Sequence, residues 1–179
     1  METATRIETS APARSTSSTP EAELLQVVTF QVGQETFGLD ILKVHEIIRF
    51  QPLTRMPNLP DYMEGVLNLR GKIIPVVNMR QVMGLDRQET NSTTKIVVAS
   101  VKDEVLGFVV DSVSEVLRIG SDNVEPSPRV RQAKQNYISG VGKVDDRLLL
   151  LLDLDQLLGE KETTNILAAK TPDEADQNH

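Results

Sequence analysis

The stretch GVLNLRGKIIPVVNMRQVMG (residues 65–84) is followed, seventy-five residues later and without a gap, by GVGKVDDRLLLLLDLDQLLG (140–159). Four of the twenty positions are identical and eight more are apolar in both. In each copy an apolar segment runs into a two-residue turn, Arg70-Gly71 or Asp145-Asp146. A second apolar run, Ile73 to Val77 or Leu148 to Leu152, then returns. That is the pattern of a β-hairpin. Each hairpin is followed by an N-cap residue (Asn78, Asp153), a short helical segment (MRQVM, LDQLL) and a terminating glycine (Gly84, Gly159).

Working outward, VVTFQVGQETFGLDILKVHEIIRF (27–50) pairs with IVVASVKDEVLGFVVDSVSEVLRI (96–119) at a shift of sixty-nine, with seven of twenty-four positions identical. Among the identities are Gly38 with Gly107 and Glu46 with Glu115. The change of shift is a six-residue insertion in the second copy near Glu125-Pro126-Ser127-Pro128, and loops absorb such insertions. Two copies of one design are therefore expected. In the first, Val27 to Val32 and Thr36 to Ile41 form a hairpin about Gly33 to Glu35. A short helical turn within Asp40 to Ile47 leads into a further strand. Pro75 removes a backbone donor from its strand and is expected at an edge or a bulge.

Four or five strands and a short helix in about 65 residues are too few for a roomy barrel, but suit one filled by its own side chains. The fold class read here is mostly β: two small SH3-like five-stranded β-barrels packed together, with short helices. Residues 1–23, rich in Ser, Thr, Ala, Pro and Glu, read as a disordered tail. Residues 24–159 read as the folded domain, with pseudo-repeated lobes of about 24–90 and 91–159 between which strands could be exchanged. Residues 160–179 read as a polar tail able to form at most a helical turn near Asn165.

Composition narrows the function. Cysteine is absent and there are only two histidines, His45 and His179, so thiol chemistry, disulfides and a thiolate metal site are excluded. The net charge of −7 is carried largely by the two tails. With four Phe, two Tyr and no Trp, the chain lacks the basic stripe and stacking platforms of a nucleic-acid binder. No apolar run approaches a membrane span and no secretory leader is visible, so a cytoplasmic protein is expected. Gly71-Lys72 precedes a strand rather than a helix, which removes a phosphate loop. The carboxylates Asp145, Asp146 and Asp153 could serve a hydrolase, but two belong to a turn and one to a cap. His45 is replaced by Ser114 in the second copy. Elimination leaves a non-enzymatic binding protein without cofactor or metal.

The copies differ most at the hairpin turn, where Arg70 faces Asp145 across the alignment. A guanidinium held at a tight turn can pair with a carboxylate such as Glu46 and fix a recognition surface. The segments ILKVHEII (41–48), GVLNLRGKIIPVVNMR (65–80), GFVVDSVSEVL (107–117) and YISGVGKVDDRLLLLLDLDQLL (137–158) together resemble the CheW family of bacterial chemotaxis coupling proteins, over about residues 26–159. That resemblance implies an adaptor of two intertwined barrels, monomeric alone and a component of receptor arrays in complex. It would link the cytoplasmic tip of methyl-accepting chemoreceptors to the regulatory domain of the histidine kinase CheA. It places Arg70 and Glu46 on a receptor- or partner-binding surface, with Val44, Gly65 and Asn68 in the same motifs, although Gly65 could serve backbone geometry alone. The alternative within the fold is a coupling protein of another chemosensory-type pathway.

Overall fold

The computed structural model describes residues 23–126 and 137–168. The strands are β1 (Leu24–Val32), β2 (Glu35–Asp40), β3 (Val44–Arg49), β4 (Met63–Leu69), β5 (Lys72–Asn78), β6 (Lys95–Val101), β7 (Glu104–Val110), β8 (Ser112–Gly120), β9 (Val124–Pro126), β10 (Ile138–Val144) and β11 (Arg147–Leu152). Helices α1 (Met79–Val82) and α2 (Leu154–Leu157) follow β5 and β11, and α3 (Glu160–Ala168) comes last. A 3-10 turn, Ile41–Lys43, joins β2 to β3. The expected caps are present: the Asn78 carboxamide oxygen accepts from the Gln81 N–H, and the Asp153 carboxylate accepts from the Asp155 N–H.

Two sheets form, in the orders β8-β1-β2-β11-β10-β9 and β3-β6-β7-β5-β4. Pairing is antiparallel except where β11 meets β2 and where β5 meets β7. The second sheet thus uses one continuous stretch, 44–110, whereas the first combines 24–40 with 112–152. Each sheet takes the first hairpin of one sequence copy and the remaining strands of the other. The lobe boundary expected near residue 90 therefore separates sequence copies, not sheets. The first sheet has a sixth strand, the three-residue β9, whose counterpart in the second is the single bridge Thr54–Val66.

Each sheet rolls up. Ion pairs and packing join β3 to the β4–β5 turn and β8 to the start of β11, although these elements lie apart in the sheet orders. The result is a pair of SH3-like barrels. One interior, in the 44–110 barrel, holds Leu67, Ile74, Val76, Ile96, Val98 and Val109. The other holds Val27, Ile119, Leu149 and Leu151. A third and larger cluster lies between the sheets and draws on both, including Phe30, Phe37, Leu39, Val97, Phe108 and Leu152. Phe30 and Phe37 stack within it, with centroids 6.0 Å apart.

Two readings of the sequence are corrected. Residues 160–168 form a helix rather than part of a polar tail: Ile166 is fully buried in the shared core and Thr163, one turn earlier, is also buried. Tertiary packing, not helix propensity, sustains such a segment. Pro75 lies on neither an edge strand nor a bulge, because β5 is flanked by β4 and β7. Its partner Val66 directs both backbone groups at Thr54, so Pro75 sits at a non-hydrogen-bonded position towards β4. The ladder to β7 begins only at Val76, and the missing donor is not required. The tail at 1–22, the residues 127–136 that hold most of the insertion, and 169–179 lie outside the described residues.

Candidate functional site

The β4–β5 hairpin ends in Arg70 and Gly71, both with positive φ, 55° and 87°. This is the geometry of a two-residue turn whose twist matches the strands. The Asn68 side-chain oxygen accepts from the Gly71 N–H at 3.0 Å and pins the turn. Glycine or asparagine would adopt the Arg70 conformation cheaply, whereas a larger L-residue carries roughly 1–2 kcal/mol of strain there. The guanidinium spans to β3, donating from Nη1 to Glu46 Oε1 at 2.9 Å and from Nη2 to Oε2 at 3.3 Å.

Arg70 is 78% exposed and Glu46 24%. An ion pair this wet contributes about 0–1 kcal/mol, too little to explain a strained arginine at the turn. What the pair does achieve is placement: two charged groups from opposite ends of the sheet are held in one bidentate geometry on the surface. Around it lie Leu69, Lys72, Ile73 and Val105, which line a shallow depression. His45, beside Glu46, shares a 2.6 Å hydrogen bond between its Nε2 and the Ser100 hydroxyl. This ties β3 to β6 at the register shift between Val44 and Glu46.

Of the five residues singled out, three therefore meet at the turn: Arg70, Glu46 and Asn68. Val44 does not join them, because its side chain packs against the shared core. Gly65 sits in β4, with φ 143°, at a register shift. A Cβ there would collide with the Thr54 carbonyl, so backbone geometry alone accounts for it. Lys72 and Ile73 were not singled out from the sequence. Their closeness to Arg70 along the hairpin, two and three residues on, is the available signal.

The second barrel carries the matching site without its arginine. Its turn, Asp145-Asp146, also has positive φ at both residues, 45° and 66°, in a residue type that tolerates it. Glu115, the counterpart of Glu46, lies 4.0 Å from Arg147, the counterpart of Lys72. Asp153 stands at the far end of β11 from Asp145 and Asp146, a separation of about 20 Å for six strand residues. The carboxylates considered for hydrolysis are not brought together. Among the described residues no group of three or more His, Cys, Asp or Glu side chains is placed to hold a metal.

A CheW-like domain model matches residues 26–162. The chain belongs to the CheW family. It is 35% identical over 138 residues to the chemotaxis protein CheW of Klebsiella aerogenes, covering 76% of this chain and 83% of that one. It is 34% identical over 136 residues to the CheW of Helicobacter pylori, covering 76% and 82%. Among solved structures it resembles the scaffolding protein CheW of Thermoanaerobacter tengcongensis, with a TM-score of 0.73 and 31% identity over 78% of this chain and 96% of that one. This CheW-family chain is thus a chemotaxis scaffold of the adaptor type and not an enzyme. No helix among the described residues is long and apolar enough to cross a membrane.

Proposed function

We propose that this chain couples methyl-accepting chemoreceptors to the histidine kinase CheA, and that the Glu46–Arg70 turn belongs to the receptor-facing surface. The observation that carries this reading is the strained, exposed arginine held bidentately by Glu46, in a chain of the CheW family. An exposed guanidinium fixed in a bidentate pair of little stabilising worth acts through what it presents to a partner. The matching turn of the second barrel has two aspartates, also at positive φ, and no arginine, which supports this reading.

In this reading the protein works by geometry. It holds the kinase's regulatory domain and the receptor's cytoplasmic tip in a fixed relation, stays in the cytoplasm beside the receptor array, and needs no cofactor. Individually weak contacts gain from the multiplicity of the array. Arg70→Asp places a carboxylate against Glu46 and is expected to abolish receptor capture in a pull-down while leaving the thermal melt close to wild type. Receptor capture that survives the charge reversal removes this surface from the reading.

A further inference from the structure

The chain passes between the barrels twice: from β2 to β3 through the 3-10 turn Ile41–Lys43, and from β7 to β8 through the single residue Asp111. Asp111 is bonded on every side. Its N–H donates to the Gln31 carbonyl at 2.9 Å, and its own carbonyl accepts from the Thr93 hydroxyl at 3.0 Å. Its carboxylate accepts from the Gly33 N–H at 2.9 Å and, in a fork, from Arg80 Nε at 2.9 Å and Nη2 at 2.7 Å.

These partners come from different bodies. Gly33 lies in the β1–β2 turn of the discontinuous barrel, and Arg80 lies on α1, which follows β5 of the continuous one. Asp111 thus joins a backbone donor of one barrel to a guanidinium of the other at the point where the chain crosses. The side chains are 19% and 26% exposed, so this pair is far less screened than Glu46–Arg70.

The internal repeat provides the control. The residue matching Asp111 is Leu42, 87% exposed and unable to form an ion pair. The residue matching Arg80 is Asp155, which accepts directly from the Lys102 N–H at 2.9 Å in the β6–β7 turn. Both copies tie a helix start to the other barrel's first turn, but the first copy routes that tie through the crossover and the second does not. One crossover is clamped by a forked ion pair. The other is a short 3-10 turn with an exposed leucine.

We propose that Arg80 and Asp111 are positioning residues that clamp the β7–β8 crossover and hold the two barrels in one mutual orientation, on which simultaneous engagement of kinase and receptor depends. This rests on the coupling function given above. Neither residue touches the Glu46–Arg70 surface, so their effect is on the relation between surfaces and not on either surface. The shared core packs the barrels against each other, and at the β7–β8 crossover Asp111 adds a polar tie between the β1–β2 turn and α1 that fixes their orientation.

Because the chain lacks cysteine, spin labels can be placed through Arg49→Cys in β3 and Leu148→Cys in β11, one on each barrel, in the otherwise unaltered full chain. Double electron–electron resonance is expected to give a narrow distance distribution in the parent, a broader one with Arg80→Gln and an intermediate one with Arg80→Lys, which keeps the charge without the fork. Pairwise capture of CheA and of receptor is expected to be unchanged in Arg80→Gln, while kinase stimulation in the three-component assembly is largely lost, because linked binding fails where geometry forbids simultaneous engagement. An unchanged distribution in Arg80→Gln, or pairwise capture falling in step with stimulation, overturns the proposal. If the parent fails to stimulate the kinase, it is the coupling function that fails, and the distance distributions still decide whether Arg80 and Asp111 hold the barrels in one orientation. Should Arg80→Gln lose its cooperative melt, Asp111→Asn, which keeps an acceptor for the Gly33 N–H, is judged by the same criteria.

Discussion

The barrel built from 44–110 and the barrel built from 24–40 with 112–152 share five matching strands in the same order, and they differ in what fills and decorates them. Ile74 and Val76 answer Leu149 and Leu151, but Val98 is matched by Thr29 and Leu67 by Gly142. The hydroxyl of Thr29, buried at 2% exposure, donates to the Glu115 carbonyl and accepts from the Glu115 N–H, at 2.9 and 3.1 Å. It thereby occupies the bulge between β1 and β8. The continuous barrel packs valine at the same place and fastens its own bulge with His45 and Ser100. A duplicated fold can evidently meet one backbone requirement with different chemistry in each copy. The copy with the larger apolar interior is the one that displays the arginine.

The comparison breaks most readily at the shared core. Phe108→Ala removes a fully buried ring from between the sheets and is expected to cost about 3–5 kcal/mol. Because that cluster belongs to both barrels, hydrogen exchange should accelerate in both. Acceleration confined to 44–110 would show the barrels to be independent units. Next comes Thr29→Val, which gives the discontinuous barrel its sister's residue. It leaves the Glu115 N–H and carbonyl without the hydroxyl, at about 1–3 kcal/mol, read from urea unfolding. A neutral outcome would mean that the two interiors are interchangeable.

Arg70→Gly is expected to change stability by less than about 1 kcal/mol, since relief of the left-handed backbone offsets the loss of a solvated ion pair. Receptor capture should nevertheless be lost. A clear loss of stability would make the arginine structural.

The smallest effect concerns a feature the barrels share. Tyr62 and Tyr137 occupy matching positions seventy-five residues apart, and each accepts from the capping residue of its own copy at 2.7 Å, Asn78 N–H for Tyr62 and Asp153 N–H for Tyr137. Burial raises both phenol pKa values. A folded value above the unfolded one means that the contribution is fully present below about pH 10 and is lost as pH rises through the raised values. Thermal melts should therefore fall above about pH 10, and Tyr137→Phe should flatten that fall by the share of its copy.

Much of this was legible because it is local. Turn, cap and helix stop recur within twenty residues of each other, and the Arg70–Asp145 contrast shows on alignment. Which sheet each first hairpin joins was not legible, because Val28 and Val97, or Gly38 and Gly107, present the same pattern to either partner. The burial of Ile166 was hidden in a nine-residue polar helix whose only reason to form is the core it meets. The resemblance places Val44 in one motif with Glu46, and the register shift at His45, which the motif does not reveal, packs its side chain against the shared core. The Arg80–Asp111 clamp joins residues thirty-one positions apart. Its trace in the sequence was the mismatch of both members with their repeats, Asp155 and Leu42.

The interleaving of the sheets has a consequence for biosynthesis. Translation releases β1 and β2 first, yet their neighbours β8 and β11 leave the ribosome only after the whole of 44–110 has followed. The nascent chain can close its inner barrel while the opening hairpin waits with its edges unsatisfied. The hairpin made before the other strands is then the last to find its place, and its open edges are the ones exposed to premature association.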